Sequence, residues 1–210
     1  MITEEEKVGI SFIAKTDKDF ARALTLISPI PPRTRPAGFE ELARIIIEQQ
    51  VSLASAAAIW RRMINGITPF TAERLLEFTE EDLREMGLSR GKAIYCRALA
   101  DHITSGKLSF DSLGSLSNDQ VADALTAVKG IGRWTAEIYM ISCLGRQDIW
   151  PAGDVALQVA LQHLKKLENR PSIKEMDAHA EPLRPYRTLT ARILWRYYAD
   201  VVQVPKSKKE

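Results

Sequence analysis

Residues 125–136 have the sequence Leu-Thr-Ala-Val-Lys-Gly-Ile-Gly-Arg-Trp-Thr-Ala. This pattern predicts a helix that ends at Val128, a tight turn, and a second helix that begins at once. Gly130 and Gly132 permit backbone conformations that other residues resist, and they let a bulky ligand approach the main chain. We expect Ile131 to be buried and to anchor the turn between the two helices.

The surroundings of this turn favour an anionic ligand. The second helix points its N-terminal N–H groups and the positive end of its dipole outwards, and Lys129 and Arg133 add full charges beside it. A phosphate group suits this arrangement. The charge along the chain agrees, because residues 129–210 carry a net +5 and residues 1–128 a net −3. A purely structural turn is the alternative, since glycine-separated turns between helices are common.

Helical periodicity extends outwards from the turn over most of the chain, and strand alternation is essentially absent. The sequence therefore predicts an all-α fold. The predicted helices are near residues 20–27, 39–50, 53–64, 71–78, 80–86, 89–103, 117–128, 133–144, 154–167 and 186–202.

Two breaks divide this helical pattern. A proline-rich stretch ends at Pro36, and a loop rich in glycine and proline precedes Asp154. We expect residues 1–36 and 150–210 to form one helical lobe from both termini. Residues 37–149 are then a second lobe, which contains the glycine turn and its two helices at about residues 118–144.

Composition excludes several classes of protein. The 210 residues are 45% hydrophobic, but no apolar run approaches the roughly 18 residues of a membrane span. The acidic start, residues 1–7, does not resemble a signal peptide. Cys96 and Cys143 are too few for an iron–sulfur cluster, and the three scattered histidines form no pattern of zinc ligands. We expect a soluble, intracellular and cytoplasmic protein, with Lys206–Lys209 as a solvated tail.

A carboxylate follows the turn at a notable distance. Asp154 lies 22 residues after Gly132, at the end of the loop and just before an amphipathic helical stretch. This position predicts that Asp154 is the N-cap of that helix. A simple structural cap is one interpretation, and a functional carboxylate is the other.

Together, the pattern Val128-x-Gly-Ile-Gly-x-x-Thr-Ala and Asp154 resemble the helix–hairpin–helix (HhH-GPD) superfamily of DNA glycosylases. The resemblance implies that the hairpin grips the backbone of double-stranded DNA, that the damaged base is flipped into a cleft between the two lobes, and that Asp154 is the catalytic residue. It also implies a monovalent cation, Na⁺ or K⁺, at the backbone of Thr126, Val128 and Ile131. The implied DNA-binding residues are Gln50, Ser52, Lys129, Gly130, Ile131, Gly132, Arg133 and Thr135.

Three further segments, residues 46–59, 87–93 and 183–187, and the later Trp195 resemble the 3-methyladenine DNA glycosylase II branch of this superfamily. In members that also cut the DNA strand, a lysine stands two residues after the second hairpin glycine, where this chain has Trp134. The resemblance therefore implies a monofunctional, monomeric enzyme that leaves an abasic site and needs no cofactor. Trp134, Ile138 and Trp195 would form the base pocket, in which aromatic rings favour a cationic alkylated purine.

Two departures from the branch keep alternatives open. Ile138 stands where some members have an aromatic residue, and Gln50 stands where some relatives insert leucine into DNA. The substrate could therefore be 3-methyladenine or 7-methylguanine, or instead another base such as uracil or hypoxanthine. A non-catalytic helix–hairpin–helix DNA-binding module, with Asp154 only as a cap, is the third possibility.

Overall fold

The computed structural model describes residues 3–32 and 34–203, and all regular secondary structure within these ranges is helical. The predicted all-α fold is confirmed. The α-helices are α1 (Glu4–Thr16), α2 (Lys18–Leu26), α3 (Phe39–Glu48), α4 (Leu53–Gly66), α5 (Ala72–Leu76), α6 (Glu80–Glu85), α7 (Arg90–Thr104), α8 (Phe110–Leu113), α9 (Asn118–Thr126), α10 (Arg133–Ser142), α11 (Val155–Lys165), α12 (Ile173–Ala180) and α13 (Arg187–Tyr197). A 3₁₀ turn, Glu181–Leu183, follows α12, and a π-helical turn, Tyr198–Val202, follows α13.

The chain folds into two compact units. The first unit comprises Met1–Arg33 and Arg146–Glu210, and the second comprises Thr34–Gly145. The lobes expected from the sequence had their limits at residues 36 and 149. The predicted tail Lys206–Lys209 lies outside the described residues.

Each unit has its own apolar core. In the first unit, Phe20, Leu161 and Ile193 are at most 1% exposed. In the second unit, Ile46 and Leu99 are fully buried. Each large apolar side chain buried in this way contributes about 1.5–3 kcal/mol to folding, which explains how helices of 4 to 15 residues remain folded.

Side-chain caps set where most of the helices begin, although α3, α8, α10 and α13 have no such bond. Ser117 and Gln120 form a reciprocal capping box at the start of α9, within the helix predicted near residues 117–128. The same device starts α1 at Thr3 and α12 at Ser172, two helices that the hydrophobic pattern did not predict. No helix in the described part of the chain is long and apolar enough to cross a membrane.

Candidate nucleic-acid interface and active site

The glycine turn of the second unit joins two packed helices. α9 ends at Thr126 and α10 begins at Arg133. The Ile131 N–H donates to the Val128 carbonyl oxygen at 3.0 Å, which closes the turn. Val128 is 1% exposed and Ile131 is 4% exposed, so Ile131 is buried as predicted and anchors the hairpin.

The two hairpin glycines have different roles. Gly130 has φ +93°, and a Cβ there would lie 2.0 Å from the Cγ atom of Tyr95. Gly132 has φ −89° and ψ 174°, and a Cβ there would meet nothing within 4 Å. The prediction that both glycines have conformations that other residues resist was therefore wrong for Gly132. Its missing side chain instead leaves the exposed main chain at the start of α10 open to a ligand.

The cationic residues around the hairpin also differ from each other. Lys129 is exposed. Arg133 is also exposed, at 65% of its side chain, but its Nε donates to the buried Glu137 carboxylate at 2.8 Å. Sequence reasoning missed Glu137, although its spacing of four residues from Arg133 is the usual spacing of an ion pair on a helix. Glu137 therefore offsets the charge of Arg133, and Lys129 contributes more to the net positive charge of the hairpin.

A groove of about 800 Å³ lies beside the hairpin within the second unit. It is lined by residues 49–51, by Ser89, Gly91, Lys92 and Tyr95, and by residues 130–132 with Thr135. Three segments that the sequence singled out separately thus meet in one place. Of these lining residues, Gln49, Lys92 and Tyr95 were missed as functional candidates.

Gln49 and Lys92 hold the turn between α3 and α4. The Gln49 Nε2 donates to the Thr135 hydroxyl at 2.7 Å, and the Lys92 ammonium donates to the carbonyl oxygens of Ile47 and Gln49, both at 2.7 Å. Burial lowers the pKa of Lys92. Thr135, expected among the DNA-binding residues, is 2% exposed, and its hydroxyl accepts the Gln49 hydrogen bond instead of facing solvent.

The turn that follows α3 presents Gln50 to solvent. Gln50 is exposed and has φ +53°, a left-handed conformation that is uncommon outside glycine. Ser52 is the N-cap of α4, where its side chain accepts from the Ser55 N–H at 3.1 Å. Gln50 is thus exposed in the turn, whereas the Ser52 side chain caps α4.

The predicted catalytic carboxylate lies in the first unit and is the N-cap of α11, as the sequence indicated. Asp154 is 8% exposed. Its Oδ1 accepts hydrogen bonds from the Leu157 N–H at 3.0 Å and from the Trp195 indole Nε1 at 3.2 Å. The 41-residue separation of Asp154 and Trp195 explains why the sequence did not reveal their contact. Two donors on one oxygen hold the carboxylate in a fixed orientation.

The remaining predicted pocket residues belong to two different units. In the second unit, Trp134 is half-buried near the start of α10, and Ile138 lies one turn further along with 9% exposure. In the first unit, Trp195 is half-buried on α13. Two aromatic residues are core residues instead: Tyr139, whose hydroxyl accepts from the Gly38 N–H, and Trp150, whose indole donates to the Met176 carbonyl.

No cluster of three or more His, Cys, Asp or Glu side chains that could hold a metal ion occurs in residues 3–32 and 34–203. A hairpin whose second helix starts at an exposed glycine, and a carboxylate held at a helix N-terminus, define a helix–hairpin–helix protein with a candidate hydrolytic site. Residues 43–185 match the HhH-GPD superfamily of base excision DNA repair proteins. The chain belongs to this superfamily, which confirms the resemblance drawn from its motifs.

Similar proteins are known over nearly the whole chain. DNA-3-methyladenine glycosylase 1 of Schizosaccharomyces pombe is 30% identical to this chain. The alignment covers 99% of this chain and 98% of that protein. The structure of S. pombe 3-methyladenine DNA glycosylase in complex with abasic DNA matches with a TM-score of 0.81 and 30% identity, over 89% of this chain and 94% of that one. DNA-3-methyladenine glycosidase from Bacillus halodurans matches with a TM-score of 0.78 and 32% identity, over 90% and 88% of the two chains.

Proposed function

We propose that the protein is a monofunctional DNA glycosylase of base excision repair. It hydrolyses the N-glycosidic bond of alkylated purines, such as 3-methyladenine and 7-methylguanine, and leaves an abasic site. The observation that carries the proposal is the fixed carboxylate of Asp154, in a chain similar over almost its full length to a 3-methyladenine glycosylase.

Asp154 acts on the sugar. Breaking the bond between base and deoxyribose gives the sugar oxocarbenium character, and a carboxylate placed against it stabilises that positive charge. The same carboxylate can orient or deprotonate the attacking water. An alkylated purine is cationic and leaves readily, so the reaction does not need a separate general acid.

The hairpin binds double-stranded DNA through its phosphates. The start of α10 has a glycine N-cap without a side chain, and Lys129 adds an exposed positive charge beside it. Gln50, on the exposed turn after α3, fills the space left in the duplex by the flipped nucleotide. A match with a structure that holds abasic DNA supports this partner.

The base pocket uses the aromatic residues. An aromatic face, from Trp134 in the second unit or from Trp195 in the first, favours a positively charged purine over a neutral one. Ile138 offers less aromatic surface than a tryptophan or tyrosine would, so we expect a selectivity that differs from that of members with an aromatic residue there. Trp134 also carries no amine, although it stands where strand-cutting members have the lysine that forms a Schiff base with the sugar, so we expect no strand cleavage.

We also infer a Na⁺ or K⁺ ion at the hairpin, held by the carbonyl oxygens of Thr126, Val128 and Ile131. The ion would supply a positive charge beside a bound phosphate. α9 ends at Thr126, where the negative end of its dipole favours a cation, and the Val128 carbonyl keeps a second lone pair beyond its bond to Ile131. DNA affinity in KCl, compared with a tetramethylammonium salt of equal ionic strength, tests this inference.

The protein acts as a monomer in the compartment that contains DNA, the nucleoid region of the cytoplasm in a prokaryote. Light scattering with and without a lesion duplex measures the stoichiometry directly. One protein for each lesion is the expected result.

The deciding experiment incubates the protein with duplexes that each carry one defined lesion, followed by alkali to cleave abasic sites. Release of 3-methyladenine or 7-methylguanine supports the proposal. Release of only uracil or hypoxanthine would assign a different base to the same site. Binding without release of any base would leave a non-catalytic DNA-binding module. Borohydride should trap no covalent adduct, because Trp134 cannot form an imine.

A further inference from the structure

The loop that leads to Asp154 is fixed at its start by an ion pair. The Asp148 carboxylate accepts from the Arg187 Nε at 2.6 Å and from the Arg187 Nη2 at 2.9 Å, one bond to each oxygen. A second arginine, Arg184, donates to the same carboxylate at 2.9 Å. The pair with Arg187 is largely shielded, with 16% of the arginine side chain and 21% of the aspartate side chain exposed.

This loop caps a helix elsewhere in the chain. Tyr186, the N-cap of α13, makes no side-chain cap bond. Instead, the Asp148 Oδ1 accepts from the Arg187 N–H at 3.4 Å, and the Gln147 carbonyl accepts from the Thr188 N–H at 3.1 Å. A carboxylate at a helix N-terminus also interacts favourably with the dipole, and it offsets the unfavourable position of Arg187 there.

A threonine adds a second attachment at the same place. The Thr188 hydroxyl donates to the Arg146 carbonyl at 2.7 Å and accepts from the Ile149 N–H at 3.0 Å. Thr188 is 5% exposed, so these bonds are shielded from water. Residues 146–149 are therefore attached to the first turn of α13 through both side chains and main chain.

The same helix also holds the other end of the loop. Trp195, eight residues after Arg187 and so about 12 Å further along α13, donates to the Asp154 carboxylate. Between the two ends, the Gln158 side chain donates to the Ala152 carbonyl at 3.0 Å. α13 thus holds both ends of the loop, the start through Arg187 and the Asp154 carboxylate through Trp195.

We propose that the Asp148–Arg187 pair is a positioning device, which attaches the loop to α13 so that Asp154 is held in register with the bond to be broken. This proposal rests on the proposed function. Asp148 is not itself a second acid or base, because both of its oxygens accept bonds from guanidinium groups. The arginines also hold the pKa of its carboxyl below the usual range, although burial opposes them.

The test is single-turnover excision from a lesion duplex, with enzyme in saturating excess. Asp148→Asn keeps the size of the side chain and removes its charge, and Arg187→Met removes the partner. We expect each variant to lower the rate constant about 10- to 100-fold, since small misplacements at a reacting centre have effects of this size. Arg187→Lys, which keeps the charge, should recover part of the rate.

Arg184→Ala is the matched control. It removes an arginine from the same carboxylate, but Arg184 is 49% exposed, also pairs with Glu181, and lies outside α13. Its rate constant should stay within about twofold of the wild type. Affinity for a duplex with an uncleavable abasic analogue should be unchanged in all variants. Hydrogen exchange should show faster exchange in residues 146–154 of Asp148→Asn and not in Arg184→Ala.

A rate constant for Asp148→Asn equal to that of the wild type overturns the proposal. So does a loss of reaction amplitude alone, because saturating enzyme makes the rate constant independent of the folded fraction. Equal losses in Arg184→Ala and Asp148→Asn would also overturn it. Failure of the proposed function is a separate result, in which the wild type releases no base while the hydrogen-exchange difference persists.

Discussion

The hairpin before α10 and the loop before α11 both lead into a helix N-terminus, but they differ in what they provide for the N–H groups there. The hairpin ends at Gly132, which has no side chain, and the main chain there is exposed. The loop ends at Asp154, whose own carboxylate fills the N-terminus of α11 and is 8% exposed. One helix end is thus left for an anion from a ligand, and the other carries an anion of the protein.

This difference predicts where each region is sensitive to substitution. At the hairpin, the main chain makes the proposed contact with DNA, so backbone conformation and close approach matter most. In the loop before α11, the Asp154 side chain and the groups that orient it determine how a substitution changes the rate of excision. The following variants test this contrast, beginning with the largest expected change.

Asp154→Asn should lower the excision rate constant by at least about 100-fold, because the charge that stabilises the sugar cation is lost. Asparagine is also a good N-cap, so α11 and the affinity for abasic DNA should be preserved. Single-turnover kinetics and fluorescence anisotropy measure the two quantities. Substantial residual excision would contradict the assignment of Asp154 as the catalytic residue.

Gly130→Ala should damage the hairpin itself. Alanine at φ +93° is strained, and its Cβ would overlap the Tyr95 ring, so we expect a loss of about 1–3 kcal/mol in the free energy of unfolding and a weaker affinity for DNA. Gly132→Ala is the control, with stability within about 0.5 kcal/mol of the wild type. If a phosphate approaches the main chain at Gly132, this variant still binds DNA more weakly. Equal stability of the two variants would contradict the distinction between the glycines.

Trp195→Phe should slow excision about tenfold with little change in DNA affinity, because it removes one hydrogen bond to a charged oxygen of Asp154. The double variant Asp154→Asn/Trp195→Phe should then be no slower than Asp154→Asn alone. Additive effects in this cycle would show that Trp195 acts mainly by stacking on the base.

Lys129→Gln should have the smallest effect. Loss of one phosphate contact reduces the slope of log affinity against log salt concentration by about 0.9 and leaves the excision rate at saturating enzyme unchanged. Lys107→Gln, another exposed lysine of the second unit, should leave the slope unaltered. An identical slope for wild type and Lys129→Gln would remove Lys129 from the DNA interface.

Local signals predicted most of the helices, but two types of error remained. α1, α8 and α12 were missed because the prediction relied on apolar periodicity, although α1 and α12 begin with a Ser/Thr-x-x-Glu capping box that is visible in the sequence. The helix predicted for residues 39–50 ends at Glu48, because Gln50 turns the chain with a positive φ. The regular helix predicted for residues 186–202 gives way to a π-helical turn after Tyr197.

Local sequence signals predicted less of the candidate site than of the helices. Motifs identified the hairpin and Asp154, since their residues are close together in the chain. The groups that hold them come from far away, such as Gln49 on Thr135 across 86 residues, and Arg187 on Asp148 across 39. No local pattern contains these pairs, and only folding brings them together.

The left-handed conformation of Gln50 has a consequence for engineering the protein. A non-glycine residue in this region stores about 1–3 kcal/mol of strain, which glycine would relieve. A search for heat-resistant variants would therefore favour glycine at this position, and such a variant would lose the side chain that the proposed function inserts into DNA. Under the proposed function, heat resistance and insertion into DNA are thus opposed at Gln50.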